Sequence, residues 1–192
     1  METIAFVTSN ALKLQDVKAI LEDNVAFKFI HYDIALPELQ ASPDEISMNK
    51  CVTAATILQG PVVVEDTSLS CPSLNGLPGP YIKTFLAHIG LEGVARLLVS
   101  FPDKTAEARS TFAYTAGPNQ PVKLFTGSMH GKIIMPHATN GVAGMHWGYI
   151  FQPDGHAVCY ASLDKTKKNK ISHRYKALIQ LKDYLINNNV KK

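Results

Sequence analysis

The chain has 192 residues, of which 46% are hydrophobic and 18% charged, and a net charge of +3. This composition is ordinary for a globular domain, and so small a charge gives no argument for binding nucleic acid. Its three cysteines form no C-x-x-C pair, which argues against a disulfide framework or a zinc site. No apolar run approaches the ~20 residues of a membrane span, and the start of the chain predicts no secretory signal. We therefore expect a cytoplasmic protein whose partners are neither nucleic acid nor membrane.

The first third of the chain predicts alternating strands and helices. Hydrophobic periodicity predicts a strand at 3–8, a helix at 10–21 and a strand at 26–30. Ser42-Pro43-Asp44-Glu45 predicts a helix start, because Ser42 can cap the helix, Pro43 suits its first position and Glu45 can close a capping box. This helix should end near Gly60.

Two adjacent acids, Glu65 and Asp66, follow the valine run 62–64. The valines predict a buried strand that ends at the acids, at the edge where open α/β sheets bind ligands. A buried carboxylate needs a metal, a cation or a hydrogen-bond donor, and neighbours on a strand point to opposite faces. We expect the acids to have different roles, with Mg²⁺ the best-fitting metal for a phosphate substrate. A solvated pair of acids remains the alternative.

Later segments change the balance from helix to strand. The predicted elements are helices at 81–88 and 91–98 joined through Gly90, a hairpin of strands at 106–116 and 122–134, a strand at 149–151 and a last helix at 172–186. Strands and helices alternate in the first part of the chain, and strands dominate in the later part. This pattern predicts an α/β class with a mixed sheet.

A polar turn, Thr8-Ser9-Asn10, lies between the first strand and the first helix, with Lys13 in the first helical turn. Free amides at a helix N-terminus favour phosphate, so this turn is a candidate anion site. Plain N-capping by Ser9 or Asn10 is the alternative.

Two further helix starts carry cations. Pro80 can occupy the first position of a helix that places Lys83 in its first turn, after a glycine-bearing loop. Ser172 can cap the last helix, where His173 and Arg174 oppose the dipole preference unless a ligand or an acidic partner lies nearby. Solvated basic side chains are the alternative at both places.

The only tryptophan, Trp147, lies in a glycine-bearing loop, within Met145-His146-Trp147-Gly148-Tyr149. An aromatic ring there can stack on a nucleobase, a contact worth ~1–3 kcal/mol. Packing of Trp147 in the core is the alternative that composition favours.

Six segments in this order resemble the inosine triphosphate pyrophosphatase family, also called the HAM1 or non-canonical purine NTP pyrophosphatase family. They are FVTSNALKL at 6–14, ALPELQASPDEIS at 35–47, VVVEDTSL at 62–69, GLPGPYIKTFL at 76–86, FQPDG at 151–155 and SHRYKAL at 172–178. The resemblance covers nearly the whole chain, and GLPGPYIK is similar to the eukaryotic branch.

This resemblance implies one domain over residues 1–192 with an elongated α/β fold, in which two lobes flank an active-site cleft and helices flank a central mixed sheet. It implies a homodimer that hydrolyses ITP, dITP and XTP to the monophosphate and pyrophosphate. The implied cofactor is Mg²⁺, with Mn²⁺ as a possible substitute, and the implied role is cleansing of the nucleotide pool.

The resemblance also assigns residues. Glu38 and Asp66 match metal-binding acids, and either Asp66 or Glu65 is the catalytic carboxylate that orients water. The substrate-binding positions that it implies are Thr8, Ser9, Asn10, Lys13, Lys50, Asp66, Thr67, Lys83, Met145, His146, Trp147, Gly148, Lys168, His173 and Arg174.

The segment at 145–148, here called the base loop, departs from the family's Phe-Gly-Trp-Asp, and Ser9 replaces a glycine. In the family this loop packs on the purine. Met145 covers a ring less rigidly, and the carboxylate missing at Gly148 removes a hydrogen bond worth ~1.5–3 kcal/mol. We expect intact handling of triphosphate and metal with altered base preference. A nucleotide-binding protein without catalysis, or a pyrophosphatase for a modified pyrimidine nucleotide, remains the alternative.

Overall fold

The computed structural model describes residues 2–21, 27–136 and 146–189. Over these residues it contains one seven-stranded sheet in the order β2-β1-β3-β5-β6-β7, with β4 paired to β3. β1 pairs in parallel with β2 and β3, whereas β3 with β4 and β6 with β7 are antiparallel, so the predicted mixed sheet is confirmed. The strands are β1 (Glu2–Val7), β2 (Phe27–Tyr32), β3 (Val62–Ser70), β4 (Pro78–Gly79), β5 (Thr105–Thr115), β6 (Lys123–Ile133) and β7 (Phe151–Pro153).

The helices confirm most of the local predictions. They are α1 (Ala11–Leu21), α2 (Pro43–Leu58), α3 (Ile82–Arg96), α4 (Lys165–Ile171) and α5 (His173–Asn189), of which α4 was not predicted. The capping box of α2 forms, since Ser42 Oγ accepts from the Glu45 amide at 3.4 Å and Glu45 Oε2 accepts from the Ser42 amide at 3.0 Å. α3 breaks at Gly90, whose φ of 67° lies outside the helical region, as the predicted joint requires.

Three predicted boundaries are wrong. β3 continues to Ser70 instead of ending at the acids, because Leu69 and Ser70 pair with β4. α3 begins at Ile82 and not at Pro80, since Pro78–Gly79 still pair with β3 as strand β4 and Tyr81 takes the N-cap position. The strand predicted at 149–151 begins only at Phe151, because i to i+3 hydrogen bonds close residues 147–149 into a 3₁₀ turn.

The chain divides into two compact units. The first contains Met1–Asp66, Ser110–Gly127 and His173–Lys192, and the second contains Thr67–Arg109 and Ser128–Ser172. The predicted single domain, with a cleft between two lobes, stays a prediction. In the described residues no helix has the length and apolar character that crossing a membrane requires.

The core of the first unit follows the two-residue alternation of β1. Ile4 and Phe6 pack with residues of α1 and α5, whereas Ala5 and Val7 pack with residues of α2. Alternate side chains of a strand point to opposite faces, so one face of the sheet carries α1 and α5 and the other carries α2. This arrangement brings the beginnings of α1 and α5 to the same face of β3.

The second unit has its own apolar core. Leu69 of β3 packs there with Ile82, Val94 and Leu98 from α3 and its C-terminal end, and with Phe151 of β7. All five side chains are at least nine-tenths buried. Burial of this extent anchors α3 and β7, which carry or adjoin several predicted site residues.

Candidate functional site

The register of the sheet places the polar turn beside the two acids. Val7 and Val64 form the last pair of the parallel β1–β3 ladder, so β1 ends where β3 reaches Glu65 and Asp66. Carboxyl ends of parallel strands are the usual ligand-binding edge of an α/β sheet. The turn after β1 therefore lies beside Glu65 and Asp66, although these acids lie within β3 and not at its end as the sequence predicted.

Hydrogen bonds fix the turn that contains Thr8 and Asn10. The Thr8 amide donates to the Tyr32 carbonyl at 3.0 Å, and the Thr8 hydroxyl accepts from the Asn10 amide at 3.1 Å. His31 Nε2 donates to the Thr8 carbonyl at 2.6 Å. Ser9, between them, is exposed. The role of His31 was not predicted, because the sequence does not show that β2 lies beside this turn.

Glu65 is a buried carboxylate held between cations. Its side chain has no solvent exposure, its Oε2 lies 2.6 Å from Lys13 Nζ, and its Oε1 accepts from Ser110 Oγ at 2.6 Å and lies 3.7 Å from Arg174 Nε. Burial by itself raises the pKa of Glu65, but the charges of Lys13 and Arg174 outweigh it and hold the pKa well below its ordinary value. A carboxylate with so low a pKa accepts a proton poorly at neutral pH. Its contacts instead suit it to hold Lys13 and Arg174 in position.

Asp66 belongs to a second, more open cluster. Lys50 Nζ lies 2.9 Å from Asp66 Oδ2 and 3.3 Å from Glu38 Oε1. Burial lowers the pKa of Lys50, but the nearby charges of Asp66 and Glu38 outweigh that effect and raise the pKa above its ordinary value. The two adjacent acids thus have separate partners, and their different roles stay a prediction.

Glu38 and Asp66 fit a shared divalent cation in their chemistry. Their carboxylate oxygens converge on one cationic atom, Lys50 Nζ. Mg²⁺ is typically held by one or two carboxylates together with substrate phosphates and water. Within the described ranges no group of three or more His, Cys, Asp or Glu side chains could hold a metal ion by itself. The residues therefore suit a cation that a phosphate-bearing ligand would help to bind.

The start of α5 has the acidic partners that its charge requires. Arg174 Nη1 donates to Asp16 Oδ2 at 2.7 Å, and its Nε faces Glu65. His173 is 1% exposed. Burial and the positive charge of Arg174 lower the pKa of His173 to about 3, so its imidazole is neutral at physiological pH. Asp16 was not predicted as part of the site.

Gly127 of β6 allows α5 to approach the sheet. A Cβ at this position would lie 2.2 Å from the carbonyl oxygen of His173 and 2.7 Å from the Ala177 amide nitrogen. Both are backbone atoms, so any larger residue at 127 would displace the start of α5. Gly127 thus positions Arg174, a role that the sequence did not reveal because no turn or motif marks this glycine.

Outside the base loop, three predicted substrate-binding residues belong to the second unit. Lys83 is exposed in the first turn of α3, and Thr67 is half-buried on β3. Lys168 Nζ donates to the Ala161 carbonyl at 2.8 Å and lies 5.5 Å from the centre of the Tyr160 ring. The cation of Lys168 is therefore held over an aromatic ring.

The described part of the base loop is an aromatic turn. Trp147 stacks on Tyr160 with a centroid distance of 5.6 Å and packs against the core of the second unit, which favours the core alternative for this ring. His146 Nδ1 accepts from the Gly148 amide at 3.1 Å. A Cβ on Gly148 would lie 2.6 Å from the His146 ring, so the two departures from the family motif depend on each other. Met145 lies outside the described residues.

Comparison with known proteins gives consistent matches over nearly the whole chain. The inosine triphosphate pyrophosphatase of Schizosaccharomyces pombe is 45% identical over 185 residues, which cover 96% of this chain and 96% of that protein. The protein of the same name from Scheffersomyces stipitis is 45% identical over 195 residues, covering 97% of this chain and 99% of that protein.

Solved structures match the fold. The HAM1 protein of Coxiella burnetii has a TM-score of 0.85 and 27% identity, and the Ham1 protein of Staphylococcus aureus has a TM-score of 0.82 and 25% identity. Each match covers 97% of this chain and 100% of the other, which confirms the predicted fold class. The Ham1 family model itself matches residues 4–184. By these matches, and as the sequence motifs predicted, the chain belongs to the Ham1 family.

Proposed function

We propose that this protein is a nucleoside triphosphate pyrophosphatase that hydrolyses the non-canonical purine nucleotides ITP, dITP and XTP to monophosphates and pyrophosphate. The observation that carries the proposal is a pair of ionic clusters beside the carboxyl end of β1. One joins Glu65 to Lys13 and Arg174, and the other joins Asp66 to Lys50. The two relatives that are 45% identical are named inosine triphosphate pyrophosphatases, which supports the same chemistry here.

Release of pyrophosphate requires water to attack the α-phosphorus and the bond to the α–β bridging oxygen to break. Asp66, the more open acid, orients the water and accepts its proton, while the electron pair of the broken bond leaves on pyrophosphate. Lys13 and the exposed Ser9 of the turn at 8–10 bind phosphate oxygens, and Lys50 stabilises the charge that develops on the leaving group. A divalent cation held by Glu38 and Asp66 supplies charge neutralisation when bound.

Glu65 acts indirectly in this proposal. Its carboxylate keeps Lys13 and Arg174 in place, and it is too acidic and too enclosed to serve as the base. Arg174, His173 and Lys168 contribute to nucleotide binding.

The proposal includes Mg²⁺ as cofactor, with Mn²⁺ as a substitute, a homodimer as the assembly and the cytoplasm as the location. The oxygen donors of Glu38 and Asp66 support a hard cation. Cys51, Cys71 and Cys159 are buried and free, which supports a reducing compartment.

The test is pyrophosphate release from ITP, dITP, XTP, GTP, ATP and dUTP with Mg²⁺ and after chelation with EDTA. We expect release from the first three, loss of release in EDTA, and loss of at least about 100-fold in Asp66→Asn, in line with typical losses when a catalytic acid–base group is removed. Lack of pyrophosphate from every substrate, or release of orthophosphate in its place, would refute the proposal.

A preference for ITP over GTP as strong as that of a relative with Phe-Gly-Trp-Asp would refute only the altered base preference. Pyrophosphate release mainly from dUTP would favour the pyrimidine alternative. Nucleotide binding without turnover would favour a binding protein. These outcomes distinguish three hypotheses: a pyrophosphatase with altered base preference, a pyrimidine pyrophosphatase and a nucleotide-binding protein without catalysis.

A further inference from the structure

We infer that Lys50 is an internal counter-ion that occupies the position between Glu38 and Asp66 until a triphosphate draws its ammonium group away and lets a divalent cation take that position. The inference rests on the proposed function and deepens it by giving an order of binding. The metal enters together with the nucleotide, and the nucleotide-free protein binds it weakly.

The contacts of Lys50 carry the inference. Its Nζ lies 2.9 Å from Asp66 Oδ2 and 3.3 Å from Glu38 Oε1, so one atom satisfies both carboxylates. A Mg²⁺ ion bound by the same two oxygens would lie ~2.0–2.1 Å from each of them. The ion and the ammonium group would then compete for the same space and the same negative charge, so one excludes the other.

The surroundings of Lys50 allow this exchange without movement of the backbone. Lys50 belongs to α2, which packs on the sheet through Cys51, Ala54 and Ala55, all nearly fully buried. The side chain of Lys50 is 11% exposed and that of Asp66 is 21% exposed, so both are held by their neighbours yet reach solvent. A flexible four-carbon side chain can swing its ammonium to a nearby phosphate while its Cα stays fixed.

Glu38 depends on the cation between the acids. Its side chain is 55% exposed, and it belongs to a segment between β2 and α2 that is neither helix nor strand. Without a cation, repulsion from Asp66 would drive the Glu38 carboxylate towards solvent. Lys50 therefore keeps the two acids together in the free protein, ready for the metal that replaces it.

Lys13 provides a contrast within the same unit. Its Nζ contacts Glu65 Oε2 at 2.6 Å and also donates to the Glu65 carbonyl at 3.0 Å. Its carboxylate partner is fully buried, whereas Lys50 bridges two carboxylates that are partly open. Of these two lysines, the one that can exchange with a cation from solution is Lys50.

The test measures Mn²⁺ binding to the nucleotide-free protein by the loss of the free Mn²⁺ signal in electron paramagnetic resonance. We expect Lys50→Gln and Lys50→Met to bind Mn²⁺ at least about tenfold more tightly than the wild type, because removing one positive charge leaves two carboxylates without a counter-ion. Lys50→Arg keeps the positive charge and should bind Mn²⁺ as weakly as the wild type does. Lys18→Gln removes a charge from the exposed face of α1 and should match the wild type.

The same variants should change nucleotide binding in the opposite direction. Lys50→Gln and Lys50→Met should raise the KM for ITP at saturating Mg²⁺, since the phosphate loses a cationic partner. A purely structural role for Lys50 would weaken both metal and nucleotide binding. Unchanged or weaker Mn²⁺ binding in both neutral variants, with far-UV circular dichroism like that of the wild type, would overturn the inference.

A second measurement needs no variant. In the wild-type protein, the ¹⁵N signal of the Lys50 ammonium should shift when Mg²⁺ and inorganic tripolyphosphate are added together, and stay in place with the same Mg²⁺ alone. A shift with low Mg²⁺ alone would overturn the inference. Both measurements are independent of turnover, so an inactive wild type would refute the proposed function without deciding the role of Lys50.

Discussion

Replacing Glu65 by glutamine tests whether this acid is the anchor of the first cluster. The substitution keeps the size of the side chain but removes the charge that faces Lys13 at 2.6 Å and Arg174 at 3.7 Å. With an effective dielectric constant of about 20, these pairs correspond to attractions of about 6 and 4.5 kcal/mol. Desolvation of several kcal/mol per ion opposes them, so breaking the buried network should reduce the free energy of unfolding by about 3–5 kcal/mol.

The assay is urea denaturation of the wild type and Glu65→Gln, followed by circular dichroism at several pH values. The folded-state pKa of Glu65 lies below its ordinary value of 4.5, so its stabilisation is fully present above about pH 4.5 and is lost as the pH falls towards the folded-state pKa. The difference between the two proteins should therefore be constant from pH 7 to 5 and shrink below pH 4.5.

Glu92→Gln is the matched control for this prediction. Glu92 pairs with Arg96 at 2.6 Å, but the two side chains are 60% and 68% exposed. An exposed pair contributes about 0–1 kcal/mol, so this variant should unfold almost as the wild type does. If Glu65→Gln loses no more stability than Glu92→Gln, or if its deficit does not shrink in acid, the anchoring role of Glu65 is wrong.

Two further substitutions test how glycines shape the site. Gly127→Ala should cost about 1–3 kcal/mol of stability or more in urea denaturation, because its Cβ would meet the backbone of α5 at 2.2 Å. Gly60→Ala, whose Cβ has its nearest neighbour at 3.8 Å, should be tolerated, and equal stability of the two variants would contradict the packing argument. Gly148→Asp places a Cβ 2.6 Å from the His146 ring, so we expect little gain in kcat/KM for ITP over GTP until His146→Gly is added. A full gain from the single substitution would show that the two positions are independent.

The two adjacent acids illustrate how neighbouring carboxylates acquire different tasks. Glu65 faces α1 and α5 and is enclosed by Lys13, Arg174 and Ser110, whereas Asp66 has Lys50 of α2 as partner. Because a strand alternates its faces, one residue of sequence separation places the acids among different helices. The tertiary surroundings alone make Glu65 an enclosed acid and Asp66 a more open one.

The sequence by itself determined the local elements and the motif residues. Ser42 and Glu45 form the predicted capping box because its hydrogen bonds join residues three apart, and the valine run forms a buried strand because β-branched residues suit one. The ordered motifs also identified the family, since each motif is read from neighbouring residues. Where the prediction was wrong, as at the end of β3, pairing with β4 had lengthened the strand beyond its local signal.

Only the tertiary structure decided which side chains act together. Three residues that belong to no motif shape the site. Ser110 donates to Glu65, Asp16 pairs with Arg174, and Gly127 leaves room for α5 beside the sheet. Arg174 and Asp16 are 158 residues apart in sequence, so no local pattern reveals their contact. The register of the sheet and the faces that its helices cover decide which charges meet. Lys13 therefore pairs with the fully buried Glu65, while Lys50 bridges two partly open acids.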